Sequence, residues 1–188
     1  MSTLVGQSIQ VVTHKGSRYG CLMANRYHKN IRLKDWDYSQ SAVYMITICI
    51  ADRTHRLGAT TEIDDVKLNS AGKMVQQEVI ALPDRNEQVE LDAFVIMPNH
   101  IHLIVGINLS LREIEPISLP NLVGELKSRT TNRYIKGVKM GLLPPFDKKL
   151  WQEGYYETVM RDERMTEERR QYIMNNPANW RDDPEMSG

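Results

Sequence analysis

The chain has 188 residues, 41% of them hydrophobic and 26% charged, with 24 Lys and Arg against 24 Asp and Glu and a formal net charge of zero. That size supports one domain with a sizeable core and some peripheral additions, and the composition is that of an ordinary soluble globular protein. No apolar run reaches the ~18 residues of a membrane span, and Met1 to Gln10 lacks the charged, apolar and cleavage regions of a signal peptide. Cys21 and Cys49 are too few for a disulfide framework and neither belongs to a CxxC pair, so both are expected as reduced thiols in a cytoplasmic protein.

Residues 1–30 are polar, without a sustained period, and read as an N-terminal extension or arm. Tyr27 to Lys34 is basic and leads into the turn-like cluster Asp37-Tyr38-Ser39-Gln40. Ala42–Ile50 (AVYMITICI) is rich in β-branched and aromatic residues and is expected as a buried strand. Asp52 to Asp65 is a polar connection with a short hairpin around Gly58. Asn69 or Ser70 caps a helix that runs to about Leu82, with Met74, Val75, Val79 and Leu82 as its apolar stripe and Pro83 as its stop. Val89–Met97 and Ile101–Ile107 read as two strands with Pro98-Asn99 and His100 between them, so an antiparallel hairpin is the natural pairing.

Asn108–Pro120 is a loop. A second helix is expected from about Pro120 to Ile135, with Leu122, Val123, Leu126 and Tyr134 inward, before the breaker-rich connector Gly137–Pro145. Thr166 can cap a last helix, with Glu167 and Glu168 in its first turn, and Pro177 closes it near Asn175 or Asn176. The order is strand, helix, strand, strand, helix, helix. This predicts an α+β fold with helices packed on a central antiparallel sheet.

The neutral total hides a strong charge pattern. Residues 1–50 carry six bases against two acids, and residues 51–92 five against nine. From Lys127 to Lys149 there are seven bases (Lys127, Arg129, Arg133, Lys136, Lys139, Lys148, Lys149) against Asp147 alone, and from Leu150 onward five bases against nine acids. Two basic segments in a neutral chain suit a local patch for a phosphate backbone, and they equally suit a solvated face.

His100-Ile101-His102 is the most informative triplet. Along a strand, alternation sends both histidines to one face and Ile101 to the core. Two imidazoles on one face of a rigid strand can ligate one metal, although the same residues can also serve only local hydrogen bonds. His14, His28 and His55 stand in polar segments without partner spacing and read as surface residues.

The segment Met97-Pro98-Asn99-His100-Ile101-His102-Leu103-Ile104-Val105 resembles the His-hydrophobic-His signature of single-tyrosine HUH transposases. Asp37–Gln40, Thr130–Tyr134, Leu150–Gln152, Tyr155–Glu157, Arg161 and Tyr172–Pro177 are similar to blocks of the REP-associated tyrosine transposases, in the same order over about residues 30–180. The resemblance implies a ferredoxin-like catalytic domain over residues 31–180, followed by a tail at 181–188. It also implies single-stranded or hairpin DNA as substrate and Mg or Mn as cofactor. In its terms His100 and His102 are metal ligands and Tyr172 the nucleophile. Asn176, one helical turn after Tyr172, is the third ligand, where many relatives carry glutamine; capping the helix end is the rival role for this asparagine. Lys127, Arg129, Arg133, Lys136 and Lys139 would follow phosphates, with Arg32 and Lys34 beside them. Trp151 and Gln152, with Tyr155 and Tyr156, would offer a stacking surface for bases.

The implied reaction is metal-dependent strand cleavage and rejoining through a 5′-phosphotyrosine. The covalent bond conserves the energy of the broken one, in keeping with the absence of GxxxxGK[ST] and GxGxxG. Two other classes remain at this level: a hairpin-binding protein without transposition activity, and an HxH hydrolase that uses water. A monomer and a homodimer are both compatible with the connector Gly137–Pro145.

Overall fold

A computed structural model describes residues 9–11, 42–61, 65–109 and 115–180. Arg32, Lys34, the Asp37–Gln40 turn, Cys21, His14, His28 and the tail 181–188 lie outside the described residues. In chain order the elements are β1 (Ile9–Val11), β2 (Ala42–Cys49), β3 (Gly58–Thr60), β4 (Val66–Leu68), α1 (Ser70–Ile80), α2 (Leu82–Arg85), β5 (Val89–Ile96), β6 (His100–Ile107), α3 (Leu119–Lys139), β7 (Tyr156–Met160) and α4 (Glu163–Asn175).

Five strands form one antiparallel sheet in the order β1-β5-β6-β2-β7, and β3 and β4 form the small hairpin expected around Gly58. Strands β2 and β5 both run antiparallel to β6, so they are parallel to each other, and α1 is the crossover between them. Likewise β6 and β7 both run antiparallel to β2, with α3 as their crossover. The two crossovers put α1 and α3 side by side on one face. This is the ferredoxin-like α+β arrangement, with β1 added at one edge from within the segment read as an arm.

The core follows from the apolar runs. Tyr44, Ile46 and Ile48 of β2 and Ile101, Leu103 and Val105 of β6 are at most 1% exposed and share the helix-facing side of the sheet. Leu122, Val123, Leu126 and Tyr134 of α3 are buried, as their spacing predicts. Helix α1 comes close to the chain before it, because a Cβ on Gly72 would stand 2.0 Å from the Leu57 carbonyl oxygen. Glycine is what that approach requires.

Several boundaries differ from expectation. Pro83 does not stop a helix but sits in the first turn of α2, where its missing N–H has no partner to lose. Helix α3 starts from the Ser118 cap and continues through Gly137 to Lys139. Strand β7 was not anticipated. Helix α4 is capped by Asp162, whose carboxylate accepts from the Met165 N–H, while Thr166 is buried and its hydroxyl donates back to the Asp162 carbonyl. Asp162→Ala is expected to lower stability by about 1 kcal/mol in urea unfolding, the usual effect of removing a carboxylate N-cap. A silent substitution would return the cap to Thr166.

Candidate metal and nucleophile site

On β6 alternation separates His100, His102 and Ile104 from Ile101, Leu103 and Val105. The sheet register extends the histidine face sideways: Cys49 lies opposite His100, Thr47 and Val95 lie opposite His102, and Tyr156 lies opposite Thr47. Both imidazoles are buried, at 0% and 2% exposure. Their Nε2 atoms are 3.0 Å apart and their ring centroids 4.5 Å apart.

The outer nitrogens are held from the scaffold. His100 Nδ1 is 2.8 Å from Asn99 Oδ1, and His102 Nδ1 is 2.7 Å from Thr47 Oγ1. The Asn99 amide is oriented in turn, because its Nδ2 donates to the Arg53 carbonyl at 3.3 Å. Each ring is therefore fixed at its outer edge and turned so that the two Nε2 atoms converge. That is the geometry of a two-nitrogen ligand set.

Helix α4 closes this side of the sheet. The Arg170 guanidinium donates to Asp92 of β5 at 2.8 Å and to Glu163 at 2.7 Å, which fixes the helix against the sheet two residues before Tyr172. The Tyr172 ring stands edge-on to His102, with centroids 5.4 Å apart at an interplanar angle of 69°. Asn176, the C-cap one turn on, is 1% exposed. Among the described residues no third His, Cys, Asp or Glu gathers with the pair to make a metal-binding group.

Three participants were not foreseen. Thr47 and Asn99 hold the rings, and Trp180 stacks on His100 with centroids 5.8 Å apart and 22° between planes. The exposed His55 meets Trp180 edge-on, with centroids 5.6 Å apart. The one threonine inside the run AVYMITICI was a visible signal for Thr47. Nothing in the sequence pointed to Trp180.

The IS200-like transposase family profile matches residues 43–176, a span that includes the histidine pair, Tyr172 and Asn176. The chain belongs to the IS200-like transposase family. An uncharacterized protein of Haemophilus influenzae is 32% identical over 170 residues, covering 84% of this chain and 92% of that protein. Among solved structures, a REP-associated tyrosine transposase bound to a REP hairpin matches with a TM-score of 0.53 at 18% identity, covering 84% of this chain and 74% of that one. At that identity the likeness concerns the fold, which it shares.

In this IS200-like transposase Lys127 to Lys139 of the basic segment lie on α3, in the helix layer across the sheet from the histidine face. Lys127, expected to follow phosphates, has its ammonium turned into the protein. Its Nζ donates to the carbonyls of Gln152, Glu153 and Gly154 at 2.9, 3.2 and 2.7 Å, ties α3 to the approach of β7, and lies 5.6 Å from the Tyr155 ring centroid. Burial pushes its pKa down to about 8. Arg129 and Arg133 bind the buried Glu78 of α1 at 2.9 and 2.8 Å. Burial alone would raise the Glu78 carboxyl, but hydrogen bonds from Arg129 and Arg133 outweigh it and hold the pKa below the ordinary value. Lys136 and Lys139 are exposed in the last turn of α3, where cations suit the helix dipole.

Trp151 is also corrected. It is 4% exposed and its Nε1 donates to Thr130 Oγ1 at 2.8 Å, so its ring is part of the core and cannot present a face to a base. Gln152 is half-buried and its backbone N–H donates to the Cys49 carbonyl at 2.9 Å, joining this segment to the end of β2. Trp151→Phe is expected to cost about 1–2 kcal/mol in chemical denaturation, from one buried hydrogen bond and a small cavity. Affinity for single-stranded DNA should be unchanged in a fluorescence anisotropy titration. Weaker DNA binding at full stability would reinstate the stacking role.

Proposed function

We propose that this transposase-family chain cleaves and rejoins single-stranded DNA at hairpin-associated sites, with Tyr172 as nucleophile and His100 and His102 as metal ligands. The observation that carries this reading is the Tyr172 ring set edge-on against His102, beside two Nε2 atoms 3.0 Å apart. Family membership supports the reaction class, and the hairpin bound by the REP-associated relative supports the substrate class.

Two buried imidazoles with their Nδ1 atoms occupied and their Nε2 atoms convergent fit a divalent ion. Asn176, buried at the end of α4 one turn after Tyr172, would add an amide oxygen. Oxygen and nitrogen donors without a thiolate suit Mg or Mn. Bound there, such an ion supplies Lewis-acid stabilisation of charge on the scissile phosphate.

The protein's own groups do the rest. Tyr172 attacks phosphorus, forms the tyrosyl O–P bond and releases the 3′-oxygen as a hydroxyl, while the phenolic proton is lost. A second DNA 3′-hydroxyl attacking the same phosphorus restores a phosphodiester and frees Tyr172. One phosphoester is exchanged for another in each step, so no nucleotide is consumed. The exposed Lys136 and Lys139 are the α3 residues that remain suited to phosphate contact.

Incubating the protein with a labelled hairpin oligonucleotide and Mn²⁺ tests the proposal. The expected result is a covalent protein–DNA species on a denaturing gel together with a free 3′-hydroxyl fragment. Tight hairpin binding with neither product would assign the chain to DNA binding without cleavage.

A further inference from the structure

The proposed reaction leaves one half-buried arginine without a task. Arg161 follows the last residue of β7 and precedes Asp162, the N-cap of α4. Its Nε and Nη2 atoms are buried, yet neither has a hydrogen-bond partner among the described residues. Other arginines of the fold are matched with carboxylates. Arg85 reaches Glu78 and Glu125, Arg129 and Arg133 reach Glu78, and Arg170 reaches Asp92, Glu163 and Glu167. The two acids that follow Arg161 in sequence are engaged elsewhere: Asp162 accepts from the Met165 N–H and Glu163 from Arg170.

Removing guanidinium N–H groups from water without an acceptor costs free energy, and arginine keeps its charge, so it cannot escape that cost by losing a proton. Nε and Nη2 share one edge of the planar guanidinium. Their parallel N–H bonds form the fork that grips a phosphate or carboxylate through two hydrogen bonds. Arg161 is half-buried at the end of the edge strand β7, so a turn of its long side chain presents that fork at the surface. Building on the proposed action on DNA, we infer that Arg161 is a phosphate-binding residue separate from the metal and nucleophile site, and that its ligand is a backbone phosphate of the bound DNA. At 1.5 Å per helical residue, positions 161 and 172 are roughly 16 Å apart along α4, so this phosphate is not the scissile one. Both donors are already stripped of water in the free protein, and each hydrogen bond to phosphate therefore adds no further desolvation cost on the protein side.

Arg161→Met keeps most of the apolar stem and removes the fork. Its stability in urea should equal or exceed that of wild type, because an unmatched buried donor pair is lost. In EDTA, the variant is expected to bind a labelled hairpin oligonucleotide about 10-fold more weakly by fluorescence anisotropy, with its slope of log K against log salt reduced by about 1. Arg161→Lys should restore the slope but only part of the affinity, since it keeps the charge and not the fork. In parallel, inorganic phosphate should raise the wild-type Tm above a sodium chloride control of equal ionic strength, and should fail to do so in Arg161→Met. A lost phosphate response with unchanged hairpin affinity assigns the site to a free anion and overturns the DNA contact. Unchanged hairpin affinity and unchanged phosphate response, or a destabilised variant that binds hairpin as wild type does, overturns the phosphate-binding role. Wild-type protein that binds no hairpin overturns the proposed function, and the phosphate titration then still decides whether Arg161 holds an anion.

Discussion

Tyr172→Phe is expected to abolish the covalent DNA adduct and to lower strand cleavage by on the order of 10⁴-fold or more, as removal of a nucleophile does when no neighbour replaces it. The change deletes one oxygen. The ring contact with His102 rests on ring atoms and survives, and α4 remains anchored through Arg170 to Asp92. Thermal unfolding and Mn²⁺ affinity of the variant should therefore stay close to wild type, within about 1 kcal/mol for stability. The other described tyrosines are placed differently. Tyr44 is fully buried on the helix-facing side of the sheet. The Tyr134 hydroxyl accepts from Arg56 at 3.4 Å, and Tyr134 is likewise fully buried. Tyr156 is on the histidine face, opposite Thr47. A covalent adduct that persists in Tyr172→Phe and vanishes in Tyr156→Phe would transfer the role.

What the sequence made legible was whatever depends on local pattern. The runs AVYMITICI and VELDAFVIM read as buried strands, and the short link around Pro98 and Asn99 made a hairpin carrying His100 and His102 the natural pairing. Alternation along the strand puts both rings on one face. Strand β7 escaped because Tyr156, Glu157 and Thr158 are half-buried at the sheet edge and only Val159 and Met160 are buried, so its five residues show no clean period. Gly137 read as a breaker, yet α3 runs through it: a Cβ there would lie 2.7 Å from Leu143, so its small size serves packing by the turn that follows. Asp162 and Thr166 are both good caps four residues apart, and burial of Thr166 decided between them. The long-range partners were beyond local pattern. Thr47 meets His102 across 55 residues of sequence, through a register that only the paired strands define. The same limit explains Lys127 and Trp151. Both looked like DNA contacts by residue type, and both are occupied by tertiary partners.

Removing the histidine pair should produce the other large effect, in metal binding. His100→Ala or His102→Ala deletes one of two convergent nitrogen donors, and each is expected to weaken Mn²⁺ binding at least ~100-fold and to stop cleavage. A thermodynamic readout separates this from loss of fold. A ligand that binds only the folded state at 100 times its Kd stabilises by about 2.7 kcal/mol. For a chain of this size that corresponds to roughly 5–10 °C in Tm, so saturating Mn²⁺ should raise the wild-type Tm by that amount and EDTA should reverse it. Either alanine variant should unfold cooperatively in EDTA but show no rise with Mn²⁺. The two variants should nevertheless differ without metal. His100 supports the stacked Trp180 and the Asn99 amide, whereas His102 supports Tyr172 and Thr47. His100→Ala should therefore loosen the Trp180 end and change its fluorescence, and His102→Ala should leave that signal in place. A Tm rise with Mn²⁺ that survives in both variants would put the ion elsewhere on the molecule and detach the histidine pair from the chemistry.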